Sequence, residues 1–381
     1  MPNIAYFDNA ATTFPKPECV YMAMDSFSRE VGVSIGRGQH KLSSKASHIA
    51  DETRDLILSL FHCGNKKVVF TNTATEALNV ILFGISLPSD CNIYISPFEH
   101  NAVTRTLYHL AKLKKLSIVQ LDVNSDYSFK MESICKQFHT KPPACVVISH
   151  VSNVIGSVAP VVEILSEAKK YNAITVADMC QSAGLIDIDI SSDIFDYVVF
   201  AGHTTMYGPL GISGFITKTP ESLPPLIYGG TGIESANQDM PMDSYARFEA
   251  GSHNTVSIAG LNASLKWIIN TGINQIYTME QKNSNRLIDI LSQYSNIHMF
   301  LPKQHTGVVS CVFDNYTSDE IGQVLSENNV AVRSGLQCAP YAHKFINTFP
   351  AGTVRFSVSY FTSDRDFEQL DRTLRYIHDN S

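Results

Sequence analysis

The stretch AITVADMCQSAG, residues 173–184, decides the fold. Six residues of β-branched and small apolar character end in Asp178, and a turn rich in small residues follows. A short apolar run closed by a polar residue reads as a strand buried on both faces, with the carboxylate at its C-terminal end. In open α/β sheets that end is where ligands bind. Outward from it the same rhythm repeats. KVVFT (67–71), NIYIS (92–96), SIVQL (117–121), ACVVIS (144–149), YVVFA (197–201) and ISGFIT (212–217) read as strands. EALNVILFGI (76–85), NAVTRTLYHLAKLKK (101–115) and PVVEILSEAKKY (160–171) read as helices between them, and a further helix is expected from Ser43 to Phe61. The alternation predicts an α/β chain with a large, mostly parallel sheet.

After Asn254 the pattern changes to long helices, 257–271 and 275–294. Strands at 307–313, 329–334 and 352–358 and a terminal helix at 364–378 follow. This predicts a large domain over 15–255 and a smaller α+β domain over 256–381, joined by residues 1–14. The chain has 381 residues, 29 Lys plus Arg against 36 Asp plus Glu, and a net charge of −7. Nucleic-acid binding needs clustered cations, and the densest run, Lys112–Lys114–Lys115, reads as a solvated helix end. No apolar run approaches the ~20 residues of a membrane span, and MPNIAYFDNAATT is no signal peptide. A cytoplasmic protein that binds neither nucleic acid nor membrane is expected. The eight cysteines show no CxC or CxxC spacing, and no HExxH or HxH is present, so no metal site is expected. Cys63, Cys91, Cys145 and Cys311 lie in or beside strand-like runs and read as packing. Cys338, in the Gly- and Pro-punctuated SGLQCAPYAHK, reads as an exposed and reactive thiol.

Five places could carry chemistry. TNTATEALN (71–79) puts a helix start after a small-residue turn, suited to an anion, although taken alone it reads first as an ordinary Thr cap with an acidic first-turn residue. Asp178, with Gln181 three residues on, could hold a heterocycle's ring N–H and phenolic oxygen, or simply cap its turn. His203 lies in FAGHTTMYGPLGISGF (200–215) as a packed or catalytic residue. His100 in EHNAV (99–103) could stack on a flat ligand or start a helix. Arg355, in GTVRFS, could clamp a carboxylate with paired hydrogen bonds.

These motifs occur in one order together with YFDNAATT (6–13), RGQHKLS (37–43), SNVIG (152–156), GGTG (229–232), RFEAGSHNT (247–255) and RSGLQCAP (333–340). On them the chain resembles the cysteine desulfurases of the class V aminotransferase family over nearly its whole length. The resemblance implies the pyridoxal-phosphate (PLP) transferase fold of type I, a homodimer, and PLP as cofactor. It implies that Ala74 and Thr75 bind the phosphate with help from His203, that Thr231 reaches the partner subunit's phosphate, and that His100 stacks on the ring. Asp178 would pair with the ring nitrogen, while Gln181 and Asn153 would face the phenolic oxygen. Arg355, with Asn153, would hold the substrate carboxylate. The implied reaction takes L-cysteine to L-alanine, leaving a persulfide on Cys338 for a sulfur-acceptor protein. A selenocysteine lyase would use the same constellation, and a class V aminotransferase would give Cys338 no task.

One position departs from the family. Where the motif implied by the resemblance has His-Lys, with the lysine as Schiff-base anchor and proton shuttle, this chain has His203-Thr204. Thr204 can form no imine, and its neighbours Thr205 and Met206 are no substitutes; Lys344, beyond Cys338, is a remote one. Ala201 also lacks the hydroxyl found two residues before the histidine in many members. PLP would then be held without a covalent link or through the substrate's own amine. A catalytically silent homodimer that binds a partner in sulfur transfer is the alternative reading.

Overall fold

The computed structural model describes residues 4–35, 40–242 and 245–380. Its first part comprises β1 (Ala5–Tyr6), α1 (Glu18–Glu30), α2 (Lys41–Leu60), β2 (Lys67–Thr71), α3 (Ala74–Gly84), β3 (Asn92–Ile95), α4 (Asn101–Lys114) and β4 (Ser117–Gln120). The middle comprises α5 (Met131–Thr140), β5 (Pro143–Ser149), α6 (Val161–Lys169), β6 (Ile174–Asp178), β7 (Tyr197–Ala201) and β8 (Ser213–Thr217). The last part comprises α7 (Thr255–Thr271), α8 (Ile273–Leu291), β9 (Ile297–Phe300), β10 (Val308–Phe313), α9 (Ser318–Glu327), β11 (Val330–Ala331), β12 (Arg333–Gly335), α10 (Pro340–Phe345), β13 (Thr353–Ser357) and α11 (Asp364–Asp379).

Seven strands form the large sheet in the order β2-β8-β7-β6-β5-β3-β4. Every pairing is parallel except those of β8, which runs against both β2 and β7. The mostly parallel sheet expected from the sequence is therefore present. Alternate residues enter opposite cores: Val146, Ile148, Val198 and Phe200 face one, while Cys145, Val147, Tyr197 and Val199 face the other. Burial of both faces explains why these strands read as continuous apolar runs rather than alternating ones.

A second, antiparallel sheet has the order β12-β13-β10-β9, and its third core gathers Val309, Val354 and Phe356 with Leu370 and Leu374 of α11. The N-terminal strand β1 pairs with β11, in parallel register Ala5↔Val330, so the first residues join the last third of the chain.

The expected strands at 67–71 and 197–201 have those bounds, and the other five expected in the large sheet differ by one residue at one end. The strand expected at 329–334 is two pieces, 330–331 and 333–335, separated at Val332. The helix expected from Ser43 starts at Lys41, because His40 supplies the cap: its ring accepts the Ser43 amide. Of RGQHKLS, residues 37–39 lie outside the described residues. Helices α1, α5, α9 and α10 and strands β1 and β9 went unforeseen. Of these α9 carried a readable signal, since Thr317 and Glu320 form a reciprocal capping box.

Two ionisable groups in the interior are informative. Arg54 of α2 is buried and clasped by both carboxylate oxygens of Glu249, at 2.9 and 2.7 Å, and Glu249 Oε1 also accepts the Phe70 amide of β2 at 2.9 Å, so the segment before α7 is pinned to α2 and the large sheet. Glu280 of α8 is buried with one hydrogen-bond donor, the Gly307 amide at 3.3 Å, and burial pushes its carboxyl up to about 8. The folded chain therefore holds this proton more tightly than the unfolded chain, whose carboxyl titrates near ~4.3. Stability from this group is fully present below that value and is lost as pH rises to about 8. Glu280→Gln should flatten that fall, and melting temperatures taken from pH 5 to pH 8 check it. Parallel pH curves for both proteins would refute the assignment.

Candidate active site

The loops that leave β3, β5, β6 and β7 at their C-terminal ends converge, as open α/β sheets dictate. Together with the start of α3 and the β12–α10 loop they line a cavity of about 340 Å³. That size lies within the ~300–1,000 Å³ of small-molecule sites. Ala74, Thr75, His100, Asn153, Asp178, Gln181, His203, Thr204, Cys338 and Arg355 all line it. The sequence had scattered these ten residues over more than 280 positions, and the fold brings them together.

The α3 end shows how both readings of TNTATEALN hold at once. Thr73 caps the helix, its hydroxyl oxygen accepting the Glu76 amide at 3.1 Å, and the Glu76 carboxylate accepts the Asn72 amide at 3.0 Å. That leaves the Ala74 and Thr75 amides without a protein acceptor among the described residues, pointed where a helix N-terminus favours an anion. His100 likewise has two roles. Its Nδ1 accepts the Ala102 amide at 3.0 Å as the cap of α4, and its ring lines the cavity. Burial lowers its imidazole below the usual value, against the pull of the Asp178 charge.

Asp178 ends β6 and is buried; its Oδ1 accepts the Cys180 amide at 3.0 Å. Under it lies Glu99, fully buried, whose carboxylate accepts from Ser96 Oγ, the Ser149 amide and Ser149 Oγ. Burial pushes Glu99 up to about 7, despite these three donors. Gln181 donates from Nε2 to the Ala10 carbonyl at 2.9 Å, which ties the N-terminal YFDNAATT stretch to the cavity floor.

The same stretch braces the turn after β7. Thr12 Oγ1 and the Thr13 amide donate to the His203 carbonyl, both at 3.0 Å, and Thr13 Oγ1 donates to the Thr204 carbonyl at 2.6 Å. The Thr204 hydroxyl is turned onto the Cys180 carbonyl and lies 3.3 Å from the Ala201 carbonyl. It is thus a donor occupied by backbone, not a free nucleophile. Burial, with the Lys16 charge adding to it, pushes His203 down to about 4, and its Nδ1 is buried with no partner. Among the described residues no lysine lines the cavity. Lys16 donates to the Thr13 carbonyl at 2.9 Å, and Lys344 sits over the Tyr341 and Phe349 rings.

Arg355, which also lines the cavity, is more engaged than its sequence suggested. Its Nη2 is 2.7 Å from Asp8 Oδ1, its Nη1 donates to the Asn153 carbonyl at 2.9 Å, and Nε is buried without a partner. Beside it on the neighbouring strand, in register, stands Arg333, exposed and lining the cavity. Sequence reasoning missed Arg333, although it opens the RSGLQCAP motif. Asn153 donates from Nδ2 to the Gln337 carbonyl at 2.8 Å, and the Asn101 amide donates to the Cys338 carbonyl at 2.6 Å. Cys338 is exposed, as expected; Cys63, Cys145 and Cys311 are buried. Cys91, expected as packing, is only half-buried, and Cys180, unassigned from sequence, lines the cavity. Thr231 does not reach the cavity of its own chain: it is part-exposed, its hydroxyl donating to the Ile233 carbonyl at 3.0 Å.

Residues 5–370 match the model of the family described as Aminotransferase class-V. A probable cysteine desulfurase of Pyrococcus abyssi is 31% identical, over 96% of this chain and 92% of its own length. A cysteine desulfurase of Pectobacterium carotovorum is 27% identical, over 98% and 93% respectively. The apo structure of a cysteine desulfurase from Thermococcus onnurineus superposes with a TM-score of 0.90 at 27% identity, covering 99% of this chain and 95% of that one. No helix among the described residues is long and apolar enough to cross a membrane. With a family model matched along almost its whole length, and a cavity at the C-terminal ends of the parallel strands, the chain belongs to the aminotransferase class-V family.

Proposed function

We propose that this chain is a cysteine desulfurase-type protein whose cavity receives pyridoxal phosphate without a covalent anchor. The observation that carries the reading is the lining itself: an anion-ready helix start, a buried carboxylate, a guanidinium pair and an exposed thiol share one cavity that contains no lysine among the described residues. The fit to the cofactor rests on the unpartnered Ala74 and Thr75 amides and the buried, unpartnered His203 Nδ1 at one end. The phosphate would lie there. Asp178 would hold a protonated ring nitrogen, with His100 over the ring and Gln181 and Asn153 toward its oxygen. When bound, the cofactor supplies an electron sink for bond breaking at the amino acid's Cα.

The chain's own residues do the rest. Arg355 orients the substrate carboxylate, with Arg333 adding positive charge at the mouth. Cys338 as thiolate attacks the substrate sulfur, so an S–S bond forms as the substrate C–S bond breaks. The balance is L-cysteine plus enzyme thiol to L-alanine plus enzyme persulfide. A smaller unit of residues 256–381 with 1–14 would carry Cys338 and Arg355 over the larger one. Thr204, its hydroxyl occupied by backbone, supplies neither anchor nor base.

The partner readings draw on surface and charge. Leu226, Ile227, Tyr228 and Ile233, within five residues of Thr231, are exposed in the single chain, which suits burial against a second copy and delivery of Thr231 in trans. The sequence has no Asp or Glu from His100 to Leu121 or from Asn328 to Ser363, the two segments that meet at Cys338. A sulfur-acceptor protein with an acidic face would suit that rim. The engaged Thr204 hydroxyl favours a second reading, a silent homodimer that binds such a partner. Capture of the partner that survives Cys338→Ala would support it.

The test of the main reading is an absorbance spectrum after PLP is added and excess removed by gel filtration. Retained PLP absorbance that shifts when L-cysteine is added is the expected result. Loss of all PLP on the column, with no spectral change on adding both compounds, would overturn it. Repeating the titration with L-selenocysteine tests the selenocysteine lyase alternative, and pyruvate as amino acceptor tests the aminotransferase one.

A further inference from the structure

The loop that carries Cys338 bends in an unusual way. Gln337 and Cys338 follow one another with φ of +39° and +56°, in the left-handed region that side chains other than glycine's rarely adopt. Two such residues in a row persist only where their surroundings determine them. The surroundings here form a buried polar chain that ends at Gln337. We propose that Gln337 and His343 act as a positioning pair, holding the backbone of Cys338 so that its thiol faces the cavity.

The direction of each hydrogen bond follows from the carbonyls at one end. Gln337 Nε2 donates to the Thr353 carbonyl at 3.0 Å and lies 3.4 Å from the Arg333 carbonyl. Its Oε1 is therefore the acceptor, and His343 Nε2, 2.8 Å away, must carry a proton. Thr348 Oγ1, at 2.7 Å, then donates to His343 Nδ1. His343 is wholly buried, and burial pushes it down to about 4, so the neutral ring with a proton on Nε2 is the form present near neutral pH. Gln337 is also held through its backbone, whose carbonyl accepts from Asn153 Nδ2. The Cys338 carbonyl accepts the Asn101 amide at 2.6 Å, and the Ala339 amide closes the turn on Leu336 at 2.8 Å. The side chain of Gln337 thus anchors the residue before the thiol, and His343 fixes which way its amide points. Neither needs to touch a ligand of the cavity for this to operate.

The inference stands without the desulfurase reading, except in the kinetic arm of its test. Hydrogen exchange by mass spectrometry on the full chain, comparing wild type with His343→Leu, His343→Gln and Gln337→Glu, reads it directly. His343→Leu should speed exchange about tenfold or more in peptides covering 333–340 and at the Asn101 amide, with β10 and β13 unchanged. Gln337→Glu, which cannot donate to Thr353, should do the same. His343→Gln, which keeps a donor toward Gln337, should restore protection. Unchanged exchange at 333–340, or acceleration spread evenly over the C-terminal third, overturns the proposal; should His343→Leu not fold, Gln337→Glu decides the same question. In a Thr204→Lys background the kinetic arm applies: kcat for alanine should fall ~10²-fold, with KM for L-cysteine within about twofold. A KM effect with kcat unchanged would count against positioning. Absence of any turnover in that background, with the exchange signature intact, would sink the desulfurase reading and leave the positioning pair standing.

Discussion

Thr204→Lys should raise L-cysteine-dependent alanine formation by at least ~10²–10⁴-fold, the contribution of a positioned general base. The gain should be larger still if covalent retention of the cofactor also matters. The site is prepared for it. The backbone of residue 204 is fixed by Thr13, its side chain contacts the Cys180 and Ala201 carbonyls, and among the described residues no lysine lines the cavity to compete. The side chain must give up the hydroxyl's contact with the Cys180 carbonyl. The measurement is alanine and sulfide release with dithiothreitol, together with an absorbance band of protein-linked PLP that survives gel filtration. A variant that binds PLP through the new lysine yet makes no alanine would show that the rest of the site cannot perform the reaction.

The second large effect concerns the thiol. In the Thr204→Lys background, Cys338→Ala should abolish the persulfide and reduce alanine formation on the order of 10³-fold or more, as loss of a nucleophile does. PLP binding should not change, since the groups assigned to the cofactor are Ala74, Thr75, His100, Asp178 and His203, and the Cys338 thiol is not among them. Trapping of protein-bound sulfur with an alkylating reagent, followed by mass spectrometry of the 333–344 peptide, reads the first part. The PLP absorbance reads the second. Sulfur found on Cys180 instead, which also lines the cavity, would move the nucleophile to that residue.

Much of this was legible in the chain. The buried strands declared themselves by apolar runs of the right length, and Asp178, His100 and His203 were legible because each ends or closely follows such a run, whereas Asn153 came only from the family resemblance. Position at a strand's C-terminal end is local information, and the topology then turns it into convergence. What could not be read was what each side chain would spend its hydrogen bonds on. Arg355 reads as a free carboxylate clamp in GTVRFS, but Asp8, 347 residues away, already occupies one of its nitrogens. Arg333 and Gln337 sit inside a quoted motif and still escaped notice, because their importance comes from the register of β12 against β13 and from a histidine six positions on. Thr231 depends on a surface that one chain does not contain. The unforeseen α1 and α5 lack a side-chain cap at their starts, so their boundaries carried little signal, unlike the capping box of α9.

The N-terminal stretch sets the timing of the protein's manufacture. The ribosome makes residues 5–9 long before their partners: Val330 and Ala331 for β1, Arg355 for Asp8 and the Ser357 carbonyl for Asn9. Until residue 331 has left the exit tunnel β1 has no strand to pair with, and Asp8 and Asn9 wait for residues 355 and 357, so this segment must remain available while more than 320 residues are added. The large sheet can fold meanwhile from its own contiguous βα units, as domains commonly do during synthesis. The cavity closes only when the beginning of the chain returns over the end, so a nascent chain cut short before β13 would carry nearly all of the cofactor-facing residues and no finished site.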